Sequence, residues 1–346
     1  MFRLSLVLFA LSLAVAAHAA PPMLHVVGNK LLTTRGQVVR LQGVNIPSLE
    51  WSSRGESVLK SVAEAATEWH ANVIRLPVAQ DRWFGHTKNQ TDGGEAYRQL
   101  VDSVIQAAAA HNSYVILDLH WSDMGDWGQA IGQHAMPDLN SVLFWQDAAK
   151  RYANNPAVLF DLYNEPRVVS WDVWKNGGVV TEKDRKGGMK TYQSPGMQKL
   201  VSVVRATGAK NVIVAGGLDW AYDLSGIAKG YALNDPEGNG IMYATHIYPW
   251  KGAHPANWDP HVTIIADRYP ILVGEVGCRP DPKQPDPNVW GPEILAWIDQ
   301  HHYNWTAWSF HPGASPCLIS DWNYTPTPYW GAYVKAALAP KKTGAR

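Results

Sequence analysis

The chain reads as a single α/β domain, a (β/α)8 TIM barrel, and three observations predict it. Short apolar runs of strand length alternate with longer amphipathic stretches as far as about residue 339. There are eight such runs, the number that closes a parallel barrel. Polar and aromatic residues gather where the runs end, while the runs themselves are aliphatic. That asymmetry suits a barrel carrying its chemistry on the C-terminal face. A doubly wound open sheet would share the alternation, but no glycine-rich phosphate loop opens the first helical stretch.

The elements follow in order. Arg3, the apolar run 4–17 and the triplet Ala17-His18-Ala19 have the layout of a secretory signal peptide over residues 1–19, cleaved near Ala19. The run is shorter than the ~20 residues a membrane-spanning helix needs. Residues 20–346 then form the barrel domain, secreted to the periplasm or the medium. Residues 23–42, with turns at Gly28-Asn29-Lys30 and Arg35-Gly36, predict an N-terminal β-hairpin closing the barrel bottom. Barrel strands are expected at 39–46, 73–76, 114–119, 158–162, 212–215, 241–245, 271–273 and 305–309. Helices are expected at 57–69, 96–111, 139–152, 197–207, 260–268 and 292–301; Leu100, Val101, Val104, Ile105 and Ala108 show the spacing of a helix laid on a sheet. Residues 169–193 read as a long functional loop after the fourth barrel strand.

Composition narrows the partners. The 346 residues include 30 basic and 30 acidic side chains, so the formal charge is zero. Such a chain offers no electrostatic footprint for nucleic acid or an anionic membrane, and a neutral substrate is expected. A monomer is expected. Only two cysteines occur, Cys278 and Cys317, in loops that a barrel makes neighbours. In an exported protein they are expected to form a disulfide.

The strand ends carry the chemistry. Leu162-Tyr163-Asn164-Glu165-Pro166 follows the fourth barrel strand and Leu272-Val273-Gly274-Glu275 ends the seventh. A carboxylate is costly to bury at such a place unless something uses it. In a closed barrel both glutamates face one mouth, where a carboxylate pair can cleave a glycosidic bond. Arg75 ends the second strand, His120 and Trp121 the third, His246 and Tyr248 follow the sixth, and Trp308 lies on the eighth. No His-x-x-x-His spacing accompanies them, so neither metal nor other cofactor is expected.

This set resembles glycoside hydrolase family 5, the retaining β-glycanases that include cellulases and mannanases. The resemblance spans roughly residues 26–337. It implies Glu275 as nucleophile and Glu165 as acid/base, with Arg75 and Tyr248 supporting Glu275 and Asn164 meeting the sugar 2-hydroxyl. His120 and His246 are expected to line the −1 subsite with Trp308 beneath it. Like-charge repulsion from Glu275 is expected to raise the Glu165 pKa.

The 17 tryptophans against 6 phenylalanines point to stacking on pyranose rings. Trp51, Trp121, Trp127, Trp171, Trp174, Trp220, Trp250 and Trp322 fall in expected upper loops, so an extended β-glucan in an open cleft is the expected ligand. An endo-β-1,4-glucanase heads the reading. A β-mannanase, a mixed-linkage or xyloglucan-active glucanase, and a non-catalytic carbohydrate-binding barrel are the alternatives.

Overall fold

The computed structural model describes residues 20–183 and 187–340. The expected signal peptide over 1–19 lies outside the described residues. Strands β1 (Leu24–Val27), β2 (Lys30–Thr33) and β3 (Val38–Val39) form an antiparallel three-stranded sheet, one strand more than the expected hairpin. Barrel strands and helices then alternate: β4 (Gln42–Asn45), α1 (Val58–Thr67), β5 (Val73–Ala79), α2 (Gln80–Trp83), α3 (Glu95–Ala110), β6 (Tyr114–Trp121), α4 (Leu139–Tyr152) and β7 (Val158–Asp161). Next come α5 (Trp171–Asn176), β8 (Gly178–Lys183), β9 (Met189–Ser194), α6 (Met197–Ala206), β10 (Ile213–Gly216), β11 (Ile241–Ile247) and α7 (Pro255–Val262). Strand β12 (Ile271–Val276), α8 (Pro287–Gln300), β13 (Asn304–Ala307) and α9 (Gly331–Leu338) follow.

Eight strands, β4 to β7 and β10 to β13, close into one parallel barrel, β13 pairing with β4. All eight expected strands are present, with ends shifted by a few residues. Two helices start earlier than the apolar pattern suggests, at Pro255 and Pro287. A proline costs nothing at a first helical position, where its missing N–H would be unpaired anyway. The expected loop 169–193 is a short helix followed by a two-stranded ribbon, β8 paired with β9. The ribbon stands outside the barrel.

The period of two along each strand sorts the barrel interior into layers. Leu24, Leu31 and Leu41 pack with Val73, Tyr114, Ile116, Leu159, Val214, Met242 and Leu272, so the N-terminal sheet and lower strand positions form one apolar plug. One inward step further along the strands the residues turn polar: Arg75 follows Val73, Asp118 follows Ile116 and Asp161 follows Leu159. The larger apolar core lies between strands and helices. It takes up much of the tryptophan: Trp69, Trp83, Trp145, Trp174, Trp258, Trp290, Trp305 and Trp330 are fully buried. Trp174, expected in an upper loop, is thus a core residue, its indole N–H given to the Gly216 carbonyl at 3.0 Å.

Candidate active site

Arg75 is the centre from which the site is built. Its guanidinium is fully buried and reaches five side chains. Nε donates to Asp161 Oδ2 at 2.9 Å, Nη1 to Asn45 Oδ1 at 3.1 Å and to Glu275 Oε1 at 2.9 Å, and Nη2 to Asn164 Oδ1 at 2.9 Å. Asp118 Oδ2 lies 3.1 Å from Nη2. One cation therefore faces three acids, and burial pushes Asp118 up to about 7 and Asp161 well above the usual carboxylate range. Asp118 and Asp161 are functional neighbours that the sequence reading missed. Their inward parity with Arg75 was the signal available.

Glu275 is the penultimate residue of β12 and almost completely buried. Its Oε1 accepts from Arg75 and its Oε2 from the Tyr248 hydroxyl at 2.6 Å. Tyr248 is held well above the usual phenol range by burial and by the neighbouring Glu275 and Glu165 charges, so it stays a donor. Gly274 gives His246 room: a Cβ there would come within 3.0 Å of His246 Nε2. Glu165 lies just past β7 with both oxygens engaged. Oε1 is 2.9 Å from His246 Nδ1, and Oε2 accepts from the Gln133 side-chain amide. Its pKa is raised, as expected, but the cause differs. Burial raises it, while His120, Arg167, Arg75 and the Gln133 hydrogen bond act in the opposite direction. Repulsion from Glu275 is not what raises it.

The two histidines are neutral donors or acceptors across the ordinary pH range. Burial lowers His120 to about 4 and His246 to about 3. His120 Nδ1 sits 2.6 Å from Asp118 Oδ2, and its ring lies parallel to Trp308, with centroids 5.6 Å apart. Asn164 spends its amide oxygen on Arg75, which leaves the amide nitrogen as a donor, 3.4 Å from His120 Nε2.

An open cleft of about 480 Å³ runs over these groups. Seven of the candidates named from the sequence, His120, Glu165, His246, Tyr248, Glu275, Trp308 and Trp220, line it. Gln133, Asp219, Trp250, Lys251, Ser315 and Pro316 line it too. Trp250 is 59% exposed and stacks face to face on Tyr248 with centroids 4.6 Å apart. Trp220 is 42% exposed and lies under the Arg167 guanidinium at 3.9 Å. Asp219, Trp220 and Ala221 all have φ near +60°, a left-handed run that costs about 1–2 kcal/mol per residue. Two N–H bonds to the Pro166 carbonyl and a 2.7 Å ion pair between Lys251 and Asp219 hold it, and the run presents Trp220 to the cleft.

Three expectations are corrected. Trp121 does not line the cleft, because successive residues on a strand face opposite ways and His120 takes the inward position. Trp51 is not brought to the cleft either: its indole N–H is taken by Glu56 Oε1 at 2.7 Å, its ring meets the edge of His311, and it borders a separate hollow with Arg54, Arg82 and Lys88. Cys278 and Cys317 are both free thiols rather than a disulfide. Cys278 Sγ is buried toward the Pro287 and Tyr329 carbonyls, while Cys317 Sγ turns to the Pro312 carbonyl, so neighbouring loops do not align the sulfurs.

Donor atoms of Glu165, His246 and Glu275 all lie within 4.8 Å of one another. A cation placed among them would compete with Arg75 for Glu275. The same closeness gives two carboxylates that can act on one bond from either side of a sugar.

A family model described as cellulase (glycosyl hydrolase family 5) matches residues 32–314. An endoglucanase from Microbulbifer sp. is 26% identical over 330 residues, covering 90% of this chain and 57% of that protein. The chain thus spans little more than half of that relative's length. An endoglucanase from Paenibacillus polymyxa is 25% identical over 345 residues, covering 86% of this chain and 83% of its own. The crystal structure of a β-glucanase from Saccharophagus degradans in complex with cellotetraose superposes with a TM-score of 0.74 at 26% identity, covering 96% and 97% of the two chains.

Proposed function

Because the chain belongs to glycosyl hydrolase family 5, we propose that it is a secreted retaining endo-β-1,4-glucanase working by double displacement. The observation that carries this is the closeness of the Glu165 and Glu275 carboxylates, with donor atoms within 4.8 Å. Retaining glycosidases hold their carboxyls roughly 5–5.5 Å apart, and inverting ones leave roughly 6.5–9.5 Å for a water.

Glu275 attacks the anomeric carbon, its carboxylate aimed by Arg75 and Tyr248. Glu165, whose proton affinity burial raises, donates its proton to the departing glycosidic oxygen. The bond from Glu275 to the sugar removes the Glu275 charge. Glu165, now ionised, takes a proton from the incoming water, and the glycosyl-enzyme hydrolyses with net retention. Asn164 offers its amide N–H to the 2-hydroxyl, and Trp308 lies under the −1 ring. Trp220 and Trp250 hold flanking units.

Support for a β-glucan comes from the relatives' names and from the cellotetraose bound by the Saccharophagus protein. A mixed-linkage β-glucan is the second reading, since that protein is described as a β-glucanase. Among the described residues no helix is long and apolar enough to cross a membrane. The proposal keeps residues 1–19 as a cleaved signal peptide, 20–346 as a monomeric catalytic domain, and no cofactor, nucleic-acid or membrane partner. Sugar release from carboxymethylcellulose, lichenan, xyloglucan and mannan tests it. A glucan should be cleaved fastest; mannan cleaved faster than every glucan would overturn the assignment.

A further inference from the structure

The loop between β6 and α4 carries Gln133 to the acid/base, yet it has no regular structure to hold it there. Barrel-side groups hold part of it: Ser122 and Gly132 pair backbone to backbone, the Arg167 backbone N–H donates to the Ala135 carbonyl at 2.9 Å, and the Tyr163 hydroxyl donates to the His134 carbonyl at 3.1 Å. The rest of its grip comes from outside the barrel. Glu182 on β8 accepts the Ala135 N–H at Oε2 over 2.8 Å, and its Oε1 meets His134 Nδ1. Tyr192 on β9 brackets Met136, accepting its N–H at 3.0 Å and donating to its carbonyl at 3.1 Å. Lys190 reaches Asp126 at 3.2 Å near the start of the same loop. From the cleft side Arg167 donates to the Gln133 and His134 carbonyls at 2.8 and 2.6 Å. Gln133, so held, donates its amide N–H to Glu165 Oε2.

We propose that the β8–β9 ribbon is a clasp that seats this loop, so that Glu182 and Gln133 are positioning residues setting the proton affinity of Glu165. The proposal deepens the glucanase reading and rests on Glu165 being its acid/base.

The physics is a balance. Burial favours the neutral carboxyl, whereas an N–H aimed at one oxygen favours the carboxylate. A group that must give a proton and then take one back needs both influences. The groups facing Glu165 come from several elements. His246 and Tyr248 belong to β11 and the residues after it, and Glu275 to β12. Arg75 comes from β5, Asp118 and His120 from β6, and Arg167 from the segment past β7. All are fixed in strands or close to strand ends. Gln133 is the loop-borne partner, so its hydrogen bond depends on what seats the loop, and the clasp supplies the share that comes from outside the barrel.

The test is the pH dependence of kcat/KM on cellotetraose, with the Glu165 pKa read in parallel by carbon-13 titration of labelled glutamate carboxyls, assigned through Glu165→Gln. Removing the donor in Gln133→Leu should raise the Glu165 pKa. The alkaline limb should then move up by about one pH unit, the size expected for one hydrogen bond to a charged group. Glu182→Ala should move both readouts the same way by a smaller amount. Glu182→Gln, which keeps an acceptor for Ala135, should restore them. The double variant Gln133→Leu with Glu182→Ala should shift no further than Gln133→Leu alone. An unmoved limb and carboxyl titration in folded Glu182→Ala, or additive shifts, would overturn the clasp. A wild type that cleaves no β-glucan would sink the glucanase reading, and the carboxyl titration would still decide the clasp.

Discussion

Tyr248 donates its hydroxyl to Glu275 Oε2 at 2.6 Å while its ring lies flat against exposed Trp250. One side chain therefore links the proposed nucleophile to a platform at the cleft surface. Tyr248→Phe should leave the fold intact and lower kcat/KM by about tenfold, the size expected for one hydrogen bond to a charged group. Trp250→Ala should act mainly on KM for long substrates. Steady-state kinetics on cellobiose through cellohexaose would separate the two. A larger kcat loss in Trp250→Ala than in Tyr248→Phe would contradict this linkage.

The two carboxylates should fail differently. In Glu275→Gln cleavage of an aryl β-glycoside should fall by on the order of 10³-fold or more, with no rescue by azide. In Glu165→Ala an activated leaving group needs little acid help, so glycosylation survives and azide speeds turnover. The reverse pattern would mean that the roles are exchanged.

The alkaline limb of kcat/KM should belong to Glu165. Burial raises its pKa above the ordinary 4.5, so the acid form persists to higher pH and activity falls as pH rises through the raised value. His120 and His246, lowered to about 4 and about 3, are already neutral there. A limb near pH 6.5 that moves in His120→Asn, with Glu165 titrating elsewhere, would count against this assignment.

Glu50, which feels the charges of Asp118 and Glu275, gives a test read in stability rather than in turnover. It is buried and pushed up to about 8, with the Ser48 N–H on its Oε2. The folded state holds its proton more tightly than the unfolded chain, so the stabilisation is complete below about 4.5 and is lost as pH rises toward about 8. Glu50→Gln, which cannot ionise, should flatten that decline. Urea unfolding between pH 5 and 8.5 would check it, and parallel curves for wild type and variant would refute it.

Much of this was legible in the sequence, and the omissions share a cause. Glu165, Glu275, Arg75 and His246 sit at the ends of apolar runs, and the runs mark the strand ends well enough to place them. Trp121 was misplaced by a single residue, because a shift of one along a strand turns a side chain to the other face. Asp118 and Asp161 could have been found by counting inward by twos from the apolar layer. Gln133 and Glu182 could not, since each depends on a loop or ribbon with no periodicity tying it to the barrel. Sulfur directions are likewise invisible in sequence, which is why adjacency of the Cys278 and Cys317 loops misled.

The thiols offer their own check. Cys317 is half-buried, whereas Cys278 is buried, with its thiol pushed up to about 12. A thiol reagent should label Cys317 in the native protein and Cys278 only after unfolding. Absence of both thiols in the unfolded, unreduced protein would restore the disulfide.

The central claim is that Glu275 forms a covalent bond with the sugar. Incubation with a 2-deoxy-2-fluoro cellobioside bearing a good leaving group, followed by digestion and peptide mass mapping, measures this directly. Slow hydrolysis of the fluorinated intermediate should leave one cellobiosyl adduct, on the peptide containing Glu275. An adduct on Glu165, or none from an enzyme that still turns over cellotetraose and releases the inverted anomer, would contradict the account.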